Sequence, residues 1–231
     1  GKWIDQLAAS DASGFIAAGT GKTLWIINPD TGRRHSVLHA NSVQGLCFDP
    51  KGRRVAAARY NGVSLWWTGD AQARPTELEW KGSHIGLTWS PDGRFIVSAM
   101  QDNALHGWRI ADRVDMQMPG YPAKTRSFAW ADRGRWLATS GSEALVCWPF
   151  QSREGPMGKA PLQIPPPARM LVTQVAAHPR QPVVAAGFDE GGVMLYRLND
   201  EAQLVVAPPN GSPVTALAYA ADGLALGFGR A

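Results

Sequence analysis

The sequence predicts an all-β fold assembled from repeated four-stranded antiparallel units. Three observations predict it: a recurring hairpin phrase, the spacing of its copies, and an aromatic landmark after each copy. The clearest copy is Leu87-Thr88-Trp89-Ser90-Pro91-Asp92-Gly93-Arg94-Phe95-Ile96-Val97-Ser98. Proline pre-sets φ at the first corner of its turn, and glycine accepts the positive φ that follows. The flanks are apolar over strand-like lengths. The same phrase spans residues 46–55, 128–137 and 217–226, with worn copies at 175–184 and 7–16. Its first-strand aromatic falls at Phe48, Trp89, Trp130 and Tyr219, in steps of 41, 41 and 89 residues, the last being two steps with a small insertion. A strand-rich repeat of about 40–45 residues is the signature of propeller blades.

Each element of the unit can then be placed. About 15 residues after each turn comes a third apolar run, ending in Trp66-Trp67, Trp108, Trp148 or Tyr196, with Ile27 in the first copy. Polar or glycine turns precede these runs: Gly21-Lys22, Asn61-Gly62, Asp102-Asn103, Ser142-Glu143 and Glu190-Gly191-Gly192. A weaker fourth strand follows near residues 36–38, 76–79, 115–117, 162–164 and 204–206. The Pro/Gly-rich stretch 151–170 reads as a loop insertion within one domain spanning 1–231, since prolines keep such a stretch off the sheet ladders.

Composition agrees. The 231 residues are 45% apolar, with 25 glycines and 17 prolines, as a turn-rich β chain requires. No apolar run is long enough to span a bilayer. The net charge of +4 comes without a Lys/Arg tract. Cys47 and Cys147 sit mid-strand among apolar neighbours and read as buried hydrophobes, which suits a reducing cytoplasm.

Together, the period, the turn phrase and the closing tryptophan resemble the WD-repeat β-propeller family over essentially the whole chain. The resemblance implies that Ser98, Asp102 and Trp108 are the strand hydroxyl, turn aspartate and strand tryptophan of that family's structural hydrogen-bond tetrad. It implies that His39, four residues before Val43, is the connecting-loop histidine, in a different blade. Asp102 is expected to bond its neighbours in the turn. No Trp-Asp dipeptide occurs; Trp67, Arg109, Pro149 and Arg197 stand where that aspartate would be. Family members usually close with seven blades, so five repeats and half of a sixth suggest a piece of a longer protein. The composition also resembles short, uncharacterised bacterial members, which would make a CobW-type metal-chaperone GTPase a candidate partner.

Catalytic signals are sparse. Gly19-Thr20-Gly21-Lys22-Thr23 resembles the end of a phosphate-binding loop, but Ile16 replaces the required first glycine and a strand follows instead of a helix. His35, His39, His84, His106 and His178 show no zinc-ligand spacing, and no metal or other cofactor is expected. His178 reads as a turn residue, and His84 as one that lies at the mouth of the ring. Trp67 and Trp80 fit the repeat less well and are candidates for exposure, against the alternative of packing on a neighbouring blade. The loops at one end of the strands carry Arg59, Lys81, Lys124, Arg126 and Arg169, offset by Asp102, Glu143, Asp189 and Glu190. Mixed charge with aromatics suits a protein partner better than nucleic acid, which needs about 6–10 clustered cations. The expected function is a non-enzymatic scaffold contacting a protein or peptide through Tyr60, Lys81, His84, Gln101, Tyr121, Lys124, Arg126 and Asp189. The alternative is a small-ligand or metal site in a central channel.

Overall fold

Continuous buried runs along the middle strands determine the architecture. A strand with both faces buried must lie between two other sheets, and the chain repeats that arrangement. A computed structural model describes residues 3–231 as antiparallel sheets without an α-helix. It divides into two compact units, Gly1–Met118 and Pro119–Ala231.

In the first unit, blade 1 is the meander β1 (Gln6–Ala9), β2 (Ile16–Thr20), β3 (Thr23–Ile27) and β4 (Arg34–Leu38). Six further strands form one continuous sheet: β5 (Gly45–Phe48), β6 (Arg54–Trp67), β7 (Thr76–Trp89), β8 (Phe95–Met100), β9 (Leu105–Arg109) and β10 (Asp115–Met118). Two four-stranded blades are fused in it. β6 holds the second and third strands of blade 2, and β7 holds the last strand of blade 2 and the first of blade 3. The sequence places a break at Asn61-Gly62, and the chain does turn there, with φ of 65° and 138°. Pairing nevertheless continues across the turn, through Tyr60 opposite Ser83.

The second unit contains blade 4, made of β11 (Phe128–Ala131), β12 (Trp136–Thr139), β13 (Leu145–Pro149) and β14 (Leu162–Ile164). Blade 5 is β15 (Val172–Ala177), β16 (Val183–Phe188), β17 (Val193–Arg197) and β18 (Gln203–Ala207). A hairpin of β19 (Val214–Tyr219) and β20 (Leu226–Arg230) follows. In β18, Leu204, Val205 and Val206 are all exposed.

The cores lie between blades. On β6, Val55 and Ala57 pack with Leu24 and Ile26 of blade 1, while Ala56, between them, packs with Trp89, Ile96 and Trp108 of blade 3. Successive side chains point to opposite faces, so one strand serves two interfaces. In the second unit Ala138 and Cys147 of blade 4 join Val184, Ala186 and Tyr196 of blade 5 in one cluster. First strands approach more closely still: a methyl group on Gly45 would lie 3.0 Å from the Gly86 Cα.

The hairpin phrase is built as its residues dictate. Gly52, Gly93, Gly134 and Gly223 all take positive φ, from 63° to 84°. Ser90 closes the best copy: Phe95 N donates to Ser90 Oγ at 2.9 Å, and Ser90 Oγ donates to Asp92 Oδ1 at 2.7 Å. Asp49 Oδ1 accepts from Arg53 N at 2.7 Å, and His178 Nδ1 accepts from Arg180 N and Gln181 N at 3.1 and 3.0 Å. His178 is therefore a turn residue, as its position indicates. Gly21, φ 60°, turns β2 into β3, so the phosphate-loop look-alike is a hairpin corner. The Cys47 and Cys147 thiols are unbridged, and burial pushes both up to about 12.

A Cβ on Gly62 would stand 2.2 Å from the Leu78 carbonyl oxygen, in a backbone conformation that side chains rarely adopt. Gly62→Ala should therefore lower the melting temperature well beyond Gly21→Ala. At Gly21 the space is open, and only the ~1–2 kcal/mol left-handed penalty applies. Equal losses in thermal unfolding would refute the close approach.

Candidate functional site

The site begins where blades 2 and 3 are fused. Gly82 N donates to Asn61 Oδ1 at 3.1 Å, and Gln101 N donates to Ser83 O at 2.9 Å. These bonds and the Tyr60–Ser83 pairing hold three segments together at one end of the strands. Tyr60 is 52% exposed there, beside exposed Lys81 and Gln101. Below Tyr60, Arg59 Nε donates to Ser64 Oγ at 2.9 Å, its Nη1 donates to the Tyr60 carbonyl at 3.2 Å, and its Nη2 pairs with Glu77. The Ser64 hydroxyl donates to the same Glu77 carboxylate at 2.8 Å. An ion pair with low exposure on its arginine side fixes the backbone under an exposed aromatic ring.

Behind this surface lies a buried polar cluster. His84 is 0% exposed, which corrects its placement at the mouth of the ring. Its Nε2–H donates to Trp80 O at 3.1 Å, and its Nδ1 faces Ser98 Oγ at 2.7 Å. The Ser98 hydroxyl has one hydrogen and two acceptors, that nitrogen and His106 O at 3.0 Å. His106 stacks on Trp80 with ring centroids 4.0 Å apart and meets Trp108 edge-on at 4.7 Å. Trp80 is thus part of the packing, while Trp67 is 44% exposed. A serine 2.7 Å from a histidine has the outline of a nucleophile and its base. With both side chains at 0% exposure, no substrate reaches them, and the pair is structural.

Burial holds the His84 and His39 rings below the ordinary histidine range and takes His106 down to about 4. The Asp115 carboxylate opposes the shift on His106 from 3.5 Å, too far for a normal hydrogen bond. All three imidazoles are neutral at pH 7.

Register shows which residues are equivalent. Leu46, Leu87 and Phe128 of the first strands face Ala57, Ser98 and Thr139. In blade 4, Trp148 Nε1 donates to Tyr121 Oη at 2.7 Å, which lies 2.7 Å from Thr139 Oγ1. Tyr121 is 8% exposed, and it too leaves the contact set. It stands 41 residues after Trp80 and 82 after His39, at the position of the connecting-loop histidine. That spacing is the signal that would have found it. His39 itself is buried edge-on against Trp66 at 5.7 Å. His39 Nε2 and Trp66 Nε1 have no hydrogen-bond partner among the described residues, because Ala57 supplies no hydroxyl. Asp102 is exposed and makes no side-chain hydrogen bond in its turn among the described residues; it acts on His84 through charge alone. The expected bonding of Asp102 is therefore corrected.

The remaining candidates lie in the second unit. Arg126 is exposed and Lys124 half-buried in the segment before β11. Asp189 is half-buried, and its Oδ1 accepts from Leu171 N at 2.8 Å, a structural bond. Arg169 pairs with Glu143 at 2.7 Å. Among the described residues no group of three or more His, Cys, Asp or Glu side chains could hold a metal ion, and no helix is long and apolar enough to cross a membrane.

Tyr121→Phe should cost about 1–3 kcal/mol, because Trp148 and Thr139 lose a buried partner, whereas Tyr60→Phe should be neutral in thermal unfolding. The pH dependence has a definite sign. A histidine whose folded pKa lies below its unfolded value takes up protons on unfolding, so stability is full above about 6.5 and falls as pH drops toward 4. His106 accounts for up to about 3 kcal/mol of that loss. His106→Phe should flatten the melting-temperature profile between those limits; an unchanged slope would reject the assignment.

A family model described as "WD domain, G-beta repeat" matches residues 78–109, the stretch that encloses this buried cluster. The chain is 25% identical to meiotic recombination protein rec14 of Schizosaccharomyces pombe over 62% of its own length and 50% of that protein. It is 29% identical to the chromatin assembly factor 1 subunit FAS2 homolog of Oryza sativa over 59% of its length and 30% of that protein. It is 30% identical to protein HIR1 of Cryptococcus neoformans over 45% of its length and 12% of that protein. The chain thus spans half or less of the curated relatives it matches. These relatives are eukaryotic and give no support to the expected bacterial kinship or to a CobW-type partner. The structures of the RRP9 WD40 repeats and of U3-55K superpose with TM-scores of 0.70 at 16% identity, over 98% of this chain and 72% and 73% of theirs. Strand order, turn chemistry and these likenesses agree that the fold is the β-propeller fold of WD40 repeats, with residues 78–109 as a recognisable WD repeat.

Proposed function

We propose that this chain is a non-enzymatic interaction scaffold that holds a protein or peptide partner at the strand ends of blades 2 and 3. The observation that carries the reading is Tyr60: a half-exposed ring on a base fixed by hydrogen bonds, flanked by exposed Lys81 and Gln101. Aromatic side chains at the centre of a contact supply most of its binding energy, and a rigid base lowers the ordering cost. Blades bury their own apolar faces, which leaves the strand-end loops to act as a surface. Pairing of Arg59 with Glu77 and of Arg169 with Glu143 takes two of the five cations out of any phosphate-binding track, which favours protein over nucleic acid. Lys124 and Arg126 are the candidate contact residues of the other unit.

The relatives' names point to assemblies that handle chromatin or meiotic recombination as the setting for such a partner. The cytoplasmic placement expected from the cysteines is accordingly not carried forward. The channel-site alternative has no observation in its favour.

Capture of partners by the wild-type chain from eukaryotic cell extract, against Tyr60→Ala/Lys81→Glu, tests the reading. Partners held through this surface should fall at least tenfold with the melting temperature unchanged. Capture that survives both this variant and Lys124→Glu/Arg126→Glu would overturn it.

A further inference from the structure

Blade 1 closes with an outer strand that differs from its counterparts. Register aligns them: Ser36 of β4 lies opposite Trp25, as Gln117 lies opposite His106, Gln163 opposite Val146 and Val205 opposite Met194. Three and two residues before those positions, blade 3 has Val114 and Asp115, blade 4 has Ala160 and Pro161, and blade 5 has Ala202 and Gln203. Blade 1 has Arg33 and Arg34 there, and Val37 follows its serine. The repeat therefore does not require two arginines and a hydroxyl at this edge. Among all serines and threonines of the chain, Ser36 alone has a basic residue at both the third and the second position before it.

The structure presents this sequence outward. β4 pairs with β3 alone and forms the outer edge of its sheet. Its side chains alternate: Arg34, Ser36 and Leu38 are exposed on one face, while His35 and Val37 are half-buried on the other. Arg33, at the end of the preceding turn, is exposed as well. The Arg34 guanidinium lies over the Trp25 ring, 6.0 Å from its centroid, which keeps it on the face that carries the Ser36 hydroxyl. The turn before β4 is held by neutral groups, Asn28 Oδ1 accepting from Asp30 N and Thr31 N at 3.0 and 3.2 Å. In blades 3 and 5 the corresponding turns carry the ion pairs Arg109–Asp112 and Arg197–Asp200. An edge strand anchored by two half-buried side chains opens locally at little cost. Ser127 makes the contrast: Lys124 and Arg126 precede it, but its Oγ accepts from Val175 N at 3.0 Å and donates to Val175 O at 3.3 Å, which ties it into the sheet interior.

We infer that Ser36 is a phosphorylation site for an arginine-directed serine/threonine protein kinase. Charge pattern is what separates the substrates of one kinase from those of another, and guanidinium groups pair bidentately with carboxylates. Two arginines just ahead of an exposed hydroxyl match a substrate cleft lined with carboxylates. In the transfer the kinase's aspartate accepts the hydroxyl proton, and the bond from Ser36 Oγ to the γ-phosphorus of ATP forms. The bond from that phosphorus to the bridging oxygen breaks, and ADP leaves with its electron pair. The product carries a charge of about −2 on an outer strand edge. Charge placed there closes the edge to addition of another strand, so the modification controls what can pair along β4.

The test incubates the folded full chain with ATP and the catalytic subunit of cyclic-AMP-dependent protein kinase, an arginine-directed enzyme, with an acid-directed casein kinase as control. Intact mass spectrometry should show a single added phosphate, and peptide fragmentation should place it on Ser36. Ser36→Ala should abolish incorporation, and Arg33→Gln/Arg34→Gln should lower kcat/KM by about tenfold or more, both with the melting temperature unchanged. Tyr60→Ala/Lys81→Glu should be phosphorylated like the wild type, since its surface lies elsewhere. Incorporation at another residue, or equal incorporation by the casein kinase, would overturn the assignment. So would phosphorylation of a synthetic peptide of residues 31–40 while the folded chain stays unmodified, because the hydroxyl would then be out of reach in the structure. Phosphorylation that accelerates in Gly62→Ala in proportion to its loss of stability would also overturn it, as a reaction of the unfolded chain alone.

Discussion

The contact between His84 and Ser98 is the interaction on which the first unit depends. A hydroxyl inside a fully buried second strand needs a partner, because an unsatisfied buried polar group costs about 1–3 kcal/mol. His84 meets that need from the very start of the neighbouring strand, and in doing so it sets where β7 passes from one blade to the next. The same crossing segment carries Ser83, which pairs with Tyr60, and Lys81, which lies exposed. The buried bond and the exposed surface are therefore two faces of one piece of backbone.

Blade 4 solves the problem with different chemistry. Thr139 supplies the hydroxyl, Tyr121 reaches it from the connecting segment, and Trp148 donates to Tyr121. Blade 2 shows the arrangement without its centre: Ala57 replaces the hydroxyl, and the His39 and Trp66 nitrogens face each other's neighbourhood without partners among the described residues. The repeat preserves a geometry, and each blade fills it with the side chains it has.

This explains which features were legible beforehand. The turn phrase acts locally, through proline, glycine and a capping side chain within a few residues, so its copies declare both strands and spacing. Fourth strands were placed correctly for the same reason, since each follows a recognisable third strand. The polar cluster was not legible because its members converge from different strands. Asp102 matched a pattern by position, yet its carboxylate points to solvent. His84 and Tyr121 looked like loop residues because nothing in a linear sequence marks a side chain that turns inward from a crossing segment. Only the count of 41 residues from His39 to Trp80 to Tyr121 marks one of the two, Tyr121; His84 falls outside it. The fusion of blades 2 and 3 into one sheet depends on pairing across the Asn61-Gly62 turn, and turn residues read alone imply an interruption there.

One outer strand carries a different consequence. β18 runs along the edge of its sheet with Leu204, Val205 and Val206 exposed in succession, and no charged residue falls within it. An edge of that kind offers unpaired backbone groups beside β-branched side chains, the combination that invites strand-to-strand addition between molecules. The colloidal behaviour of the protein at high concentration is thus governed by the five residues of this strand, and a single lysine introduced there is the natural means of keeping it monodisperse.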